Sequence, residues 1–330
     1  MKVQLKWAWL VVLSCALILV ACSDQEEGTP ANEENDQQQE ATNDAASGTQ
    51  TEEEGTWPYT YVDARGKEIT LTEKPERIAA VTWMITENLL ALERPPIAAD
   101  TVEVMSGWAS MGSYFEKYDI HDLGTPTEVN YEELLSMKPD LILATTANED
   151  VYEKLEKIAP VIVFDSDALF NDWTAAITEV GKAINEESIA QAYIDELMVT
   201  IEDGRQTIQE KDLGTFGFIR ILNKDMYTFN RGQLAVYYDA EKGLGLPIPA
   251  NWPEETGAVQ LEALPDINPD YMFISSGEGP ENYKQLQESA VWGSLTAVKN
   301  NQVYDIDLSG LTGGPLAIRY GVETILSAVK

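Results

Sequence analysis

Few side chains in this 330-residue chain could make or break a covalent bond. There are two cysteines, Cys15 and Cys22, both near the N-terminus, and one histidine, His121, in the run Asp119-Ile120-His121-Asp122, which reads as a surface loop. The sequence has no Gly-x-Ser-x-Gly elbow to raise a serine nucleophile and no Gly-x-x-x-x-Gly-Lys-Ser or -Thr loop to cradle a triphosphate. A single histidine with no cysteine in the body argues against a zinc or manganese site built from several side chains. Carboxylates are everywhere, so a carboxylate pair acting as an enzyme at a cell surface stays open as an alternative. What the body does hold is binding chemistry. It has indoles and phenols that pack against large ligands, and a small set of guanidinium groups that donate to oxygen-rich ones.

The elements that must position such groups come in two copies. Glu132-Glu133-Leu134-Leu135-Ser136-Met137-Lys138-Pro139-Asp140-Leu141-Ile142-Leu143 aligns on Glu262-Ala263-Leu264-Pro265-Asp266-Ile267-Asn268-Pro269-Asp270-Tyr271-Met272-Phe273, about 130 residues later. Each copy reads as a short helix, a Pro-Asp turn and a buried strand. Each is followed by a helical segment (Tyr152-x-x-Leu155, Tyr283-x-x-Leu286) and a further strand at Val161–Phe164 or Val303–Ile306. Two similar α/β lobes explain this most simply, and a cleft between lobes favours a small-molecule site.

The N-terminus reads as a targeting segment. Lys2 and Lys6 flank the start of an apolar run, Trp7 to Val20, too short for an ordinary spanning helix, and residues 1–21 read as a signal peptide. Ala21 before Cys22 and Ser23-Asp24 after it resemble a bacterial lipobox. That resemblance implies a diacylglycerol on the Cys22 sulfur and a protein anchored to the cell membrane on its extracellular face, in a Gram-positive bacterium. Residues 22–56 contain no Lys or Arg and no large apolar side chain, so they are expected to form a disordered acidic tether. The net charge of −34 argues against nucleic acid as a partner, because phosphates would be repelled.

Along the body, Tyr59–Asp63 and Lys67–Leu71 alternate about Ala64-Arg65-Gly66 as a hairpin. Arg77–Val81 reads as a buried strand, Thr82–Ile85 as a loop and Thr86–Glu93 as a helix ended by Pro95-Pro96. Asn130 and Glu133 resemble a capping box. From Trp173 to Lys211 the apolar spacing is helical, with interruptions expected at Gly181 and Asn185-Glu186. Phe216–Leu222 reads as a strand, Leu234–Glu241 as a helix and Leu316–Val329 as a closing amphipathic helix. The expected division is a first lobe over 57–172, a linking helical segment over 173–211 and a second lobe over 212–330.

These features, in their order, resemble the cluster-A solute-binding proteins of bacterial iron–siderophore ABC importers, whose relatives bind cobalamin and heme. The motifs that carry the resemblance are Pro75-Glu76-Arg77-Ile78, Glu87-Asn88-Leu89-Leu90-Ala91-Leu92, Lys138-Pro139-Asp140-Leu141-Ile142, Ile158-Ala159-Pro160-Val161, Ile267-Asn268-Pro269-Asp270, and Trp292 with Leu295, Ala297-Val298-Lys299 and Val303-Tyr304. The chain departs from the family at Glu93-Arg94-Pro95, where a Gly usually follows the Ala-Leu. The resemblance implies an α/β fold of two Rossmann-like lobes joined by a long rigid helix, with the ligand cleft between them. It also implies a monomer without a cofactor, handing a ferric siderophore to ABC permease subunits.

A ferric siderophore arrives with its iron already saturated, so the protein would supply aromatic walls and Arg donors from loops at strand ends. The expected ligand-binding residues are Trp83 and Trp108 in the first lobe and Arg220, Tyr227, Arg231 and Trp252 in the second, with Arg319 beside the Gly313-Gly314-Pro315 turn. The resemblance also implies one acidic residue on each lobe that docks on the permease. Glu87 matches the first position and Glu241 or Asp239 the second, while stabilisation of its own helix terminus is the plainer reading of Glu87. Heme would need an axial ligand, for which His121, Met84, Met105 or a tyrosine could serve. Ferric citrate would call for more Arg and fewer aromatic walls.

Overall fold

The computed structural model describes residues 55–228, 234–253 and 257–329. The signal segment, Cys22, nearly all of the tether, Arg231 and the side chain of Tyr227 lie outside what is described.

The first lobe is built on a five-stranded sheet, all parallel, in the order His121–Asp122, Ala98–Ala99, Ile78–Ala80, Leu141–Thr145, Val161–Phe164. The last three strands are buried at every position, as apolar runs covered on both faces must be. The chain adds strands outward in one direction from Ile78–Ala80, then crosses to the other side with Leu141–Thr145. This reversal is the topological switch point, where the loops leaving the strands' C-terminal ends part and open a crevice. The second sheet runs Gly257–Val259, Met226–Thr228, Phe216–Ile221, Tyr271–Ser275, Val303–Asp305. Its last three strands are parallel and its first two antiparallel, so only half of it copies the first lobe.

The repeat seen in the sequence has a physical purpose at its Pro-Asp turn. Asp140 accepts hydrogen bonds from the backbone N–H groups of Glu76 (2.8 Å) and Arg77 (3.0 Å), just ahead of the strand Ile78–Ala80. Asp270 accepts from Thr215 N–H (2.7 Å) and Thr215 Oγ1 (2.8 Å), just ahead of the strand Phe216–Ile221. In both lobes the aspartate that opens one strand pins the entry to its parallel neighbour.

The hairpin forms as expected, with Tyr59–Val62 antiparallel to Glu68–Leu71, and Asn130 caps the helix Tyr131–Met137 by accepting from Glu133 N–H. The helical stretch breaks once, at Asn185 in the left-handed region (φ +60°), giving helices Trp173–Ala183 and Glu187–Lys211. The second has 25 residues, roughly 37 Å at 1.5 Å per residue. Gly181 does not break the first; a Cβ there would stand 2.9 Å from the Ala190 Cβ, so it lets the two helices approach closely. One hydrophobic cluster runs from Ile85 and Leu89 through Ile177, Leu197 and Ile201 to Phe218, Ile318 and Val322. The long helix and the C-terminal helix Pro315–Ala328 thus share a core with both lobes, which makes the connection stiff.

Candidate functional site

The C-terminal ends of both sheets face the same groove. At one end lies a pocket of about 440 Å³, bounded by Val104 and Trp108 from the first lobe, the turn Ser276-Gly277-Glu278 after one strand of the second, and Asp305–Leu308 after another. The lobes touch beside it, where Ala109 N–H donates to Asp307 Oδ1 (3.1 Å) and Ser110 N–H to Ser309 Oγ (3.2 Å). Trp108 meets Trp83 edge to face, with ring centroids 5.6 Å apart and planes at 84°. Trp83 in turn borders a small pocket with Met84, Phe170, Gly313 and Gly314. Phe170 and Gly313 also line a third pocket of about 660 Å³, shared with Trp173, Met198, Val236 and Asp239. Phe170 and Gly313 join the second and third pockets, and the Trp83–Trp108 ring contact sets the first beside them, so aromatic side chains run along the whole groove.

Trp83 opens the helix Trp83–Ala91, which starts three residues earlier than its sequence suggests. The residue therefore stands at the switch point, on a helix end rather than in a loop. Trp108 follows the helix Val102–Ser106 on the far wall. Arg220 lies at the end of the strand Phe216–Ile221. Both carboxylate oxygens of Glu278 hold its guanidinium, from Nε at 2.5 Å and Nη2 at 2.7 Å. Strand register sets Tyr227 directly opposite Arg220.

Four expectations are corrected by tertiary packing. Trp252 is 4% exposed and belongs to the second lobe's core with Ile219, Met272 and Trp292. Its ring lies over Gly217, where a Cβ would come within 2.6 Å of it. Arg319 points to the long helix, not the cleft. Its guanidinium sits 4.6 Å from the Tyr193 ring centroid and donates to Tyr193 Oη (3.2 Å) and Glu196 Oε1 (2.8 Å). The helix expected over Leu234–Glu241 covers only Ala235–Tyr238. Exposed Asp239 ends it by accepting from the N–H groups of Glu241 and Lys242, both at 2.7 Å, and these bonds hold its carboxyl below the ordinary range. Glu241 beside it is exposed.

Glu87 is the fourth. It has no exposed surface and lies outside the first turn of its own helix. Its Oε1 accepts from Ala317 N–H at 2.8 Å, so a first-lobe carboxyl caps the C-terminal helix across 230 positions of sequence. Only a glycine fits at 314, because a Cβ there would overlap the Glu87 carboxyl. Burial pushes this carboxyl up to about 7, while the N–H groups of Ala317 and Leu316 pull the other way. Glu87 Oε2 and Asn88 Oδ1 have no hydrogen-bond partner among the described residues, and both residues line the small pocket.

Sequence reasoning missed Phe170 and Val104, which leave 48% and 52% of their surfaces exposed in the groove. Exposed apolar side chains that line a cleft are placed to pack against a ligand. Neither residue carries a local signal that separates a groove side chain from a core one, since successive helical positions can both be buried, as Leu89 and Leu90 are. Of the histidine and methionines named as axial ligands, Met105 is fully buried, His121 Nε2 lies 2.7 Å from Glu133 Oε1, and Met84 lines the groove.

A family model described as periplasmic binding protein matches residues 78–309. The Fe(3+)-citrate-binding protein YfmC of Bacillus subtilis (strain 168) is 32% identical over 193 residues, 57% of this chain and 60% of that protein. The probable siderophore-binding lipoprotein YfiY of the same organism is 25% identical over 313 residues, 86% of this chain and 92% of that one. The crystal structure of the iron-uptake system-binding protein FeuA from Bacillus subtilis superposes with a TM-score of 0.68 at 21% identity, covering 82% of this chain and all of that one.

Proposed function

We propose, from the premise that this chain belongs to the periplasmic binding protein family, that it captures a ferric siderophore in the groove between its lobes and delivers it to an ABC permease. The carrying observation is the groove itself, with Trp83, Trp108, Val104 and Phe170 along walls that meet at the switch point. Its two larger pockets, about 440 and 660 Å³, fall in the range of sites that bury a drug-sized molecule. Aromatic faces supply the packing that a bulky chelate needs, and the chelator supplies every bond to the iron.

Titration of intrinsic tryptophan fluorescence with ferric chelates should give saturable one-to-one quenching without turnover of the ligand. Trp83→Ala and Trp108→Ala should each weaken binding about tenfold or more, about 1.4 kcal/mol. Unchanged affinity would remove that residue from the wall. Heme and cobalamin serve as comparators, and tight binding of either alone would overturn the siderophore reading.

We place permease docking on exposed Asp239 and Glu241, with Glu87 too deeply buried to take part, and membrane attachment on a lipidated Cys22. Glu241→Ala, outside the groove lining, should leave binding intact and slow uptake into cells, and Cys22→Ala should release the protein to the medium. Normal uptake, or retention in the membrane fraction, would refute the corresponding assignment.

A further inference from the structure

We propose that this groove selects by charge, taking a neutral or cationic tris-hydroxamate complex of iron(III) and rejecting polyanionic citrate and tris-catecholate complexes; this rests on the ferric-chelate reading above. Among the described residues, the ionisable groups lining the pocket at Trp108 are Glu278, Asp305 and Asp307, and no cation lines it. The nearest described guanidinium, that of Arg220, is already held by both oxygens of Glu278. At the other end of the groove Asp172 and Asp239 face a single Lys242.

Two of these carboxylates are tied into hydrogen bonds at the groove wall. Asp307 Oδ1 accepts from Ala109 N–H, Ser309 N–H and Ser309 Oγ. Asp172 Oδ1 accepts from Thr174 N–H, Thr174 Oγ1 and Ala175 N–H. Its carboxyl is held below the ordinary range by those bonds, which outweigh the larger single effect of burial acting upward. Hydrogen bonds to the ionised form favour it. The acidic surface of the whole chain, net charge −34, adds a long-range field that repels anions from the mouth.

The charge of the cargo follows from its donors. Three hydroxamates lose one proton each and neutralise iron(III). Three catecholates lose two each and leave a polyanion, and ferric citrate complexes are anionic as well. An uncharged complex meets no repulsion from Glu278, Asp305 and Asp307, and a pendant ammonium or amide N–H on its chain finds acceptors there. The methylene linkers of such a chelator match the exposed Val104 and Phe170 side chains. Built-in repulsion is a common route to specificity, because it acts on the wrong ligand alone.

The test is a fluorescence titration of the full chain with the ferric complexes of desferrioxamine B, citrate and a tris-catecholate. At roughly 50 mM NaCl the hydroxamate complex should bind about 100-fold more tightly than either anion, and the gap should narrow at roughly 500 mM as salt screens the exposed charges. The pair Glu278→Gln and Asp305→Asn, which frees Arg220 and removes two charges, should raise affinity for both anions about tenfold. Equal or tighter binding of the anions, or variants that leave their affinity unchanged, would overturn charge selection while leaving a siderophore receptor in place. Failure of every ferric complex to bind would overturn the receptor reading and this inference with it.

Discussion

Trp252→Ala should cost about 3–5 kcal/mol of stability, the range for truncating a buried tryptophan. The indole is enclosed by Ile219, Met272 and Trp292 and roofs Gly217, so its removal leaves a cavity between the second sheet and the helices that cover it. The backbone around Gly217 is fixed by parallel pairing of the strands Phe216–Ile221 and Tyr271–Ser275, which limits relaxation into the void. Thermal unfolding of the variant beside the parent chain measures the loss. A ligand wall would behave differently, with the melting temperature unmoved and only chelate affinity reduced. That second pattern would return Trp252 to the groove and contradict the packing described here.

The Glu87→Gln variant should abolish a pH dependence of about 3 kcal/mol in the stability of the parent chain. The size follows from a carboxyl raised to about 7 from its ordinary 4.5, at about 1.4 kcal/mol per pH unit. The native state holds this proton more tightly than the unfolded chain does. The stability it contributes is therefore full below about pH 4.5, declines as pH rises, and is gone above about pH 7. Ionisation then leaves a charge where no solvent reaches, with only the helix N-terminus to offset it. Denaturant unfolding of both proteins at about pH 5 and about pH 8 isolates this group, since all others cancel in the difference. A difference that does not change with pH would mean that the carboxyl is not desolvated as the geometry requires. Glu87 joins the first lobe to the C-terminal helix, so its ionisation bears on how firmly the two parts hold together.

Much of the scaffold could be read locally. Parallel strands buried on both faces announce themselves as short apolar runs, and Ile78–Ala80, Leu141–Thr145 and Val161–Phe164 all fell where those runs lie. Asn130 capped its helix because an N-cap depends on residues three apart. The α/β class and the matched Pro-Asp turns were legible for the same reason. Trp83 and Trp108 follow strands whose C-terminal ends open on the groove, and they meet there edge to face.

Other residues escaped because their surroundings come from distant parts of the chain. Nothing near Trp252 distinguishes a core indole from a ligand wall; the partners that decide it lie on two strands and a helix. Arg319 was drawn to the cleft by the neighbouring Gly-Gly-Pro turn, yet the rotation of its helix aims it at Tyr193 and Glu196. The pairing of Arg220 with Glu278 joins two strand ends 58 positions apart and becomes visible only once the strands lie side by side.

The amino-acid order alone thus determined the two α/β lobes, the strands and caps that build them, and an acidic chain with binding rather than catalytic chemistry. Tertiary structure alone decided which aromatic side chains face the groove, that Glu87 is a buried cap for a helix 230 positions away, and that Arg220 is already paired with Glu278. Periodicity and capping act over a few residues and are written along the chain. The environment of a side chain is set by whatever the fold brings against it, and that depends on helix rotation and strand register across the whole molecule.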